Sequence, residues 1–179
     1  PVCRAILPEI ETVDFPVEPV IPIVEAVHDR SVVETFRGCT RGCRFCQAGM
    51  IYRPVRERSK DKILQLAEKQ LKNTGNDELS LLSLSTSDHS CFEALTMALI
   101  DYTKRETISL SLPSLRVDKF AFDVLNRIQE YKKSGLTYAP EAGTQRLRDV
   151  INKGVTESDI YQSIEQALEL GWKHIKLYF

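Results

Sequence analysis

From Ser31 onward the chain alternates short, β-branched, strand-like runs with longer stretches of helical period, and this alternation restricts the folds open to it. Five runs read as strands: "SVVETFR" from Ser31, "LSLLSLS" from Leu79, "TISLSL" from Thr107, "LTYAP" from Leu136 and "KHIKLYF" up to Phe179. Between the first two, "KDKILQLAEKQLKNTG" places Ile63, Ala67 and Leu71 on one helical face and stops at Gly75. A second helix carries Phe92, Leu95, Leu99 and Tyr102 behind a capping box of Ser90 and Glu93. A third, capped by Asp118, carries Ala121, Val124, Leu125 and Ile128 and ends at Ser134 and Gly135. Two more are predicted over Thr144 to Lys153 and Glu157 to Leu170, the latter behind a Thr156/Asp159 box. Strands separated by helices pair in parallel through right-handed crossovers, giving a doubly wound sheet or a barrel.

The strand faces favour the barrel. A strand buried on both sides is apolar throughout. Here Ile108, Leu110 and Leu112 alternate with Ser109 and Ser111, and Ile175, Leu177 and Phe179 alternate with His174, Lys176 and Tyr178. One face suits a helix layer and the other a polar lumen. The expected fold is α/β, a partial (β/α) barrel truncated after about the fifth strand. Residues 1–30 are proline-rich and extended without helical period, and read as a lead-in or linker; residues 31–179 read as the core domain. The chain stops at Phe179 in mid-strand pattern, so a larger parent protein is expected.

At 179 residues, 42% apolar and 27% charged, the composition is that of one ordinary globular domain. A formal net charge of −1 argues against nucleic-acid binding by bulk charge. No run approaches the roughly 18 apolar residues needed to span a membrane, and no signal-peptide pattern is visible. Few cysteines fit a reducing, cytoplasmic setting.

"RGCTRGCRFCQAG", residues 37–49, holds three of the five cysteines as C-x3-C-x2-C. Three is odd for a disulfide framework and one short of a structural zinc site. Small buried hydrophobes are the ordinary reading of lone cysteines, and it is applied to Cys3 and Cys91. Apolar packing does not explain the glycines and arginines around Cys39, Cys43 and Cys46. A zinc site needs a fourth ligand, from His28 or His89. In an iron–sulfur cube, three thiolates leave one iron open, which makes a reaction site rather than a plain electron relay. Gly38, Gly42 and Gly49 permit a tight loop, and Arg41 and Arg44 bring positive charge to it.

This motif, with Phe45 just before the last cysteine and directly after a first strand, resembles the radical S-adenosylmethionine (radical SAM) superfamily. The segments "HDRSVVETFRGCTRGCRFCQAGMIYRPVRERS", "LSLSTSDHSCFEAL", "LSLPSLRVD" and "APEAGTQRLRDVINKGVTESD" are similar to its cobalamin-binding-type branch, related to methylthiotransferases. The similarity runs from about residue 20 to the end. The resemblance implies a partial barrel with a [4Fe–4S] cluster held by Cys39, Cys43 and Cys46, and S-adenosylmethionine on the open iron. Reductive cleavage would give a 5′-deoxyadenosyl radical acting on an unidentified substrate. A reductase, flavodoxin or ferredoxin would supply the electron. The resemblance implies an Fe–S oxidoreductase or a methyl- or methylthio-transferase, with RNA among the substrates it brings to mind. Cobalamin is implied only through a domain absent from this chain. The competing class is a zinc- or iron–sulfur-stabilised binding or electron-transfer module without radical chemistry.

The family often carries Gly-Gly-Glu after the second strand to bind the cofactor's amino group; this sequence has Ser85, Thr86, Ser87 and Asp88 there. Asp88 can accept from an ammonium or a ribose hydroxyl, and Ser85 joins it as a candidate contact. Ser109 and Ser111 are candidates for lumen contacts, Arg116 for a carboxylate clamp. Glu141 resembles an acidic residue that relatives place near the cofactor, and Phe45 completes the cofactor-binding candidates. "INKG", Ile151 to Gly154, reads as a helix end with Lys153 against the dipole. Arg37, Arg41, Arg44, Arg53, Arg56, Arg58 and Lys60 crowd the loop and its exit, and read as a solvated face. His89 and Tyr178 are candidates to face the lumen and relay a proton.

Overall fold

The computed structural model describes residues 3–24, 26–113, 116, 124, 126–127 and 136–179. The five expected strands form as β1 (Ser31–Glu34), β4 (Glu78–Leu82), β5 (Ser109–Ser111), β6 (Leu136–Tyr138) and β7 (Ile175–Leu177). Two further two-residue strands, β2 (Phe36–Arg37) and β3 (Arg56–Glu57), pair antiparallel and close the segment that holds the cysteines. β1 pairs with β4 and β4 with β5, both in parallel, with Val33 opposite Leu81 and Leu79 opposite Leu110. β6 pairs with β7 in parallel, with Tyr138 opposite Leu177. The chain has the parallel α/β architecture of a partial barrel. The helix expected from Asp118 to Gly135 lies almost wholly outside the described residues.

Among the described residues five helices lie in the connections: α1 (Gln47–Ile51), α2 (Lys60–Thr74), α3 (Phe92–Glu106), α4 (Gln145–Val150) and α5 (Glu157–Glu169). No helix among the described residues is long and apolar enough to cross a membrane. α2 starts where the Ser59 hydroxyl accepts from the Lys62 N–H at 3.2 Å and ends at Gly75. α5 forms its expected capping box, with Thr156 and Asp159 satisfying each other's backbone donors. The box expected at α3 does not form. Its N-cap is Cys91, without a side-chain cap bond, because the Ser90 N–H and hydroxyl both donate to the Glu57 carboxylate instead.

Strand alternation decides which face is dry. Val33, Leu79, Leu81 and Leu110 turn to the helices and meet Ile63, Leu66 and Ala67 of α2 and Leu95, Leu99 and Ile100 of α3. Each Val, Leu or Ile side chain among them, fully buried, contributes about 1.5–3 kcal/mol of transfer free energy. A second cluster packs Leu136 and Tyr138 against Ala167 and Trp172. On the opposite face Ser109 and Ser111 are half-buried, while Leu82, at the end of β4, is 52% exposed.

The segment before β1 is docked over part of its length. Ile10 is 1% exposed, and its carbonyl accepts from the Arg58 guanidinium, which is itself buried. Phe15 lies 5.5 Å beneath the same guanidinium, a cation–π distance. Glu11 accepts from the Ser59 N–H and hydroxyl at 2.8 and 2.6 Å, and Asn73 donates to the Val17 carbonyl at 3.1 Å. Residues 10–17 thus run along α2. Cys3 and Cys91, expected as small buried hydrophobes, are both exposed: one lies in the extended lead-in and the other on the outer end of α3.

Candidate cluster and cofactor site

The chain leaves β2 through Gly38, whose φ of +91° is open to glycine and strained for other residues. A Cβ there would also stand 2.6 Å from the Tyr52 carbonyl oxygen, so nothing larger fits. The loop that follows carries Cys39, Cys43 and Cys46, all free thiols, with Cys43 buried and the other two half-buried. Cys46 caps α1, its sulfur accepting from the Gly49 N–H at 3.4 Å. The Arg41 N–H donates to the Cys39 sulfur at the same distance. Hydrogen bonds to sulfur are among the contacts that tune iron–sulfur clusters in general. Gly49, counted among the loop glycines, sits inside α1, where an added Cβ would make only ordinary contacts.

Among the described residues no three His, Cys, Asp or Glu side chains converge closely enough to hold a single metal ion. One zinc needs all its ligands around one point. A multi-iron cluster uses one thiolate per iron, and three separate sulfurs on one loop fit that donor set. His89 is also committed elsewhere. It is buried, its Nδ1 accepts from the Cys91 N–H at 3.1 Å, and its Nε2 lies 3.0 Å from the Arg58 carbonyl. With Nδ1 accepting, Nε2 carries the proton and donates, so the ring braces a turn. His28 is exposed, and Tyr178 is exposed as well.

The arginines around the loop include the solvent-exposed Arg44 and Arg53, and several of them also bond to backbone carbonyls. Arg53 donates to the Arg41 carbonyl, Arg44 to the Val150 carbonyl, and Arg56 to the carbonyls of Leu7, Tyr52 and Pro54. They staple irregular backbone whose carbonyls have no ladder partner.

Most of the expected cofactor residues are joined by contacts around the loop. Arg41 donates from Nε to one Asp88 oxygen at 2.8 Å and from Nη2 to the other at 2.5 Å, a bidentate pair. The Ser85 hydroxyl donates to Asp88 at 2.8 Å. Burial works against the Asp88 charge, but the Arg41 and Ser85 hydrogen bonds, with the charges of Arg41 and Arg116, outweigh it and hold the carboxyl below its ordinary range. The Arg116 N–H donates to the Ser87 hydroxyl at 3.1 Å, and its guanidinium to the Lys153 carbonyl at 3.2 Å. Lys153 donates to Glu141 at 3.3 Å and lies 5.8 Å over the Phe45 ring. Glu141 holds a left-handed φ of +66°, and its N–H donates to the Tyr178 carbonyl at 3.1 Å. Ser109 is not brought to this group. It pairs opposite Glu78, the first residue of β4, whereas Ser85 and Asp88 follow that strand's last residue.

The "INKG" turn does more than end a helix. Asn152 donates to the Gly42 carbonyl at 2.8 Å, and the Ile151 carbonyl accepts from the Arg44 N–H at 2.9 Å. Asn152 and Lys153 therefore brace the cysteine loop from a distant part of the sequence. The sequence offered one clue, the similarity of this segment to the same branch of proteins.

The model of the radical SAM superfamily matches residues 33–179. The chain belongs to the radical SAM superfamily. The cofactors of that family are a [4Fe–4S] cluster and S-adenosylmethionine. An uncharacterized protein of Methanocaldococcus jannaschii is 37% identical over 148 residues, 83% of this chain and 32% of the relative. A proposed methylthiotransferase of the same organism is 25% identical over 150 residues, 79% of this chain and 33% of the relative. Among solved structures, the cobalamin-dependent S-adenosylmethionine radical enzyme OxsB, with aqua-cobalamin bound, superposes with a TM-score of 0.62. That match is 14% identical and covers 82% of this chain and 23% of OxsB, so it speaks to the radical SAM fold alone. The chain spans about a third of the length of the curated relatives it matches.

Proposed function

We propose that this radical SAM chain is an enzyme core in which Cys39, Cys43 and Cys46 each bind one iron of a [4Fe–4S] cluster, the fourth iron being left for S-adenosylmethionine. The observation that carries the proposal is the loop itself. Three free thiols lie at the carboxyl end of the first parallel strand, and two of them accept a backbone N–H. A cluster held by these thiolates, reduced by an external one-electron donor, would supply the electron for cleavage of the sulfonium to methionine and a 5′-deoxyadenosyl radical. The chain's own residues bind and orient. Asp88, kept ionised by Arg41 and Ser85, is the acceptor for the cofactor's ammonium, and Arg116 is the clamp for its carboxylate. Glu141 is the acceptor for ribose hydroxyls, and Phe45 offers a ring face. Methyl or methylthio transfer is the reaction class suggested by kinship with the proposed methylthiotransferase. A ferredoxin, flavodoxin or reductase in a reducing cytoplasm is the fitting electron donor.

Anaerobic reconstitution with iron and sulfide tests the cluster assignment. The chain should take up about four irons and four sulfides, with the broad visible absorbance of a cluster. The variant Cys43→Ala should lose both. Stoichiometric zinc with no retained iron would instead support a zinc-stabilised module.

A further inference from the structure

A cavity of about 600 Å³ opens at the carboxyl ends of β1 and β4, beside the cysteine loop. Its wall includes Gly38, the residue before Cys39, but none of Asp88, Arg41 or Glu141. It is therefore separate from the ring of polar contacts assigned above to the cofactor. Active sites of parallel α/β folds lie at this end of the strands. A volume of this size is that of a small-molecule site.

The chemistry of the wall is specific. Phe36, 3% exposed, is part of the wall, and Leu82 and Leu84 present 52% and 42% of their surface although the neighbouring Leu81 is fully buried. Leu7 and Tyr52 extend the apolar wall. Among the described residues the wall also includes Arg4, Arg37 and Arg56, with Glu34 as its single acid, and the Arg4 guanidinium donates to the Arg53 carbonyl. Glu34 is already neutralised, by Arg37 at 2.7 Å and by Arg58 at 3.5 Å. Arg37 engages Glu34 through Nε, and the three bonds of Arg56 to backbone carbonyls leave two of its five N–H groups. The described wall therefore combines surplus positive charge, from guanidinium-bearing residues, with apolar surface. Guanidinium forks match carboxylate and phosphate oxygens bidentately.

We infer that this cavity binds an oxyanion, carboxylate or phosphate, joined to an apolar or aromatic body. Its assignment as the substrate position rests on the function proposed above.

The test titrates the full chain with 1-naphthyl phosphate, 1-naphthoate and the neutral 1-naphthalenemethanol. At least one of the two oxyanions should bind at a single site about tenfold or more tightly than the alcohol, and the tighter oxyanion identifies the headgroup. Arg37→Gln should weaken that oxyanion about tenfold and leave the alcohol unchanged, while Glu34 keeps Arg58 as its partner. Leu84→Glu, at an exposed position with little bearing on the fold, should weaken it as well. Equal binding of alcohol and oxyanions, or binding indifferent to both substitutions, overturns the site. These titrations need neither cluster nor S-adenosylmethionine, so their failure leaves the proposed function standing. In the reconstituted chain, saturating oxyanion should change the yield of 5′-deoxyadenosine, and Arg37→Gln should shift the half-maximal concentration for that change about tenfold upward. A yield unmoved at saturation overturns the assignment as substrate position.

Discussion

The side-chain amide of Asn152 donates to the carbonyl of Gly42 at 2.8 Å, joining two residues 110 apart in sequence. The fit is close: a Cβ on Gly42 would stand 2.8 Å from that same nitrogen. Asn152 has a φ of +52°, which glycine tolerates, so Asn152→Gly keeps the turn and removes the amide. Loss of one such bond costs about 1 kcal/mol, and the cysteine loop becomes correspondingly freer. The reconstituted variant should release iron to a chelator several-fold faster than the parent protein. An unchanged release rate would show that the brace does not support the loop.

Asp88 makes stability depend on acid. Its folded carboxyl lies below the ordinary carboxylate value, so its contribution is complete above the unfolded value, about 4. The contribution fades as pH falls through the lower folded value. Urea midpoints of the parent and Asp88→Asn should differ at pH 7, and the difference should shrink as pH falls below about 4. A gap that stays constant over that range would contradict the Arg41–Asp88 pair as its source.

Tyr138, in the second apolar cluster, has its hydroxyl pushed up to about 12 by burial. The raised value means that its contribution holds below the ordinary tyrosine value of about 10 and is lost as pH rises from there towards 12. In an alkaline absorbance titration one of the six tyrosines should ionise last, together with unfolding. Tyr138→Phe should remove that late step. Its persistence in the variant would assign the step to another tyrosine.

The segment ahead of β1 contributes to stability through Ile10. Replacing a side chain that is 1% exposed with alanine costs about 2–5 kcal/mol in a packed site. Ile10→Ala should lower the unfolding free energy by that amount in denaturant titration. A change below about 0.5 kcal/mol, the scale of surface substitutions, would mean that residues 10–17 do not pack along α2.

Strand and helix order was legible because it rests on local period. Ile63, Ala67 and Leu71 all turn inward, and Thr156 and Asp159 close the capping box. The cysteine triplet was legible because its spacing lies within one loop. What escaped was decided by partners far along the chain. Ser90 has a capping-box neighbour in Glu93, but Glu57 captures it first. The lead-in has no helical period, yet Arg58 holds the Ile10 carbonyl and α2 the side chains of this segment. The bonds from the loop arginines to backbone carbonyls escaped as well, because carbonyls seeking donors leave no mark in sequence. Asn152 read as the end of a helix because no local rule points across 110 residues to Gly42. Ser109 was placed by face alone, and face does not say at which end of the strand a residue lies.

The most direct measurement of the central claim is the yield of 5′-deoxyadenosine from S-adenosylmethionine and dithionite, with anaerobically reconstituted protein. The parent chain should produce it in proportion to bound cluster, and Cys39→Ala, Cys43→Ala and Cys46→Ala should each produce none. A fully loaded cluster that leaves S-adenosylmethionine intact, or production that survives loss of any one of the three thiols, would contradict the account.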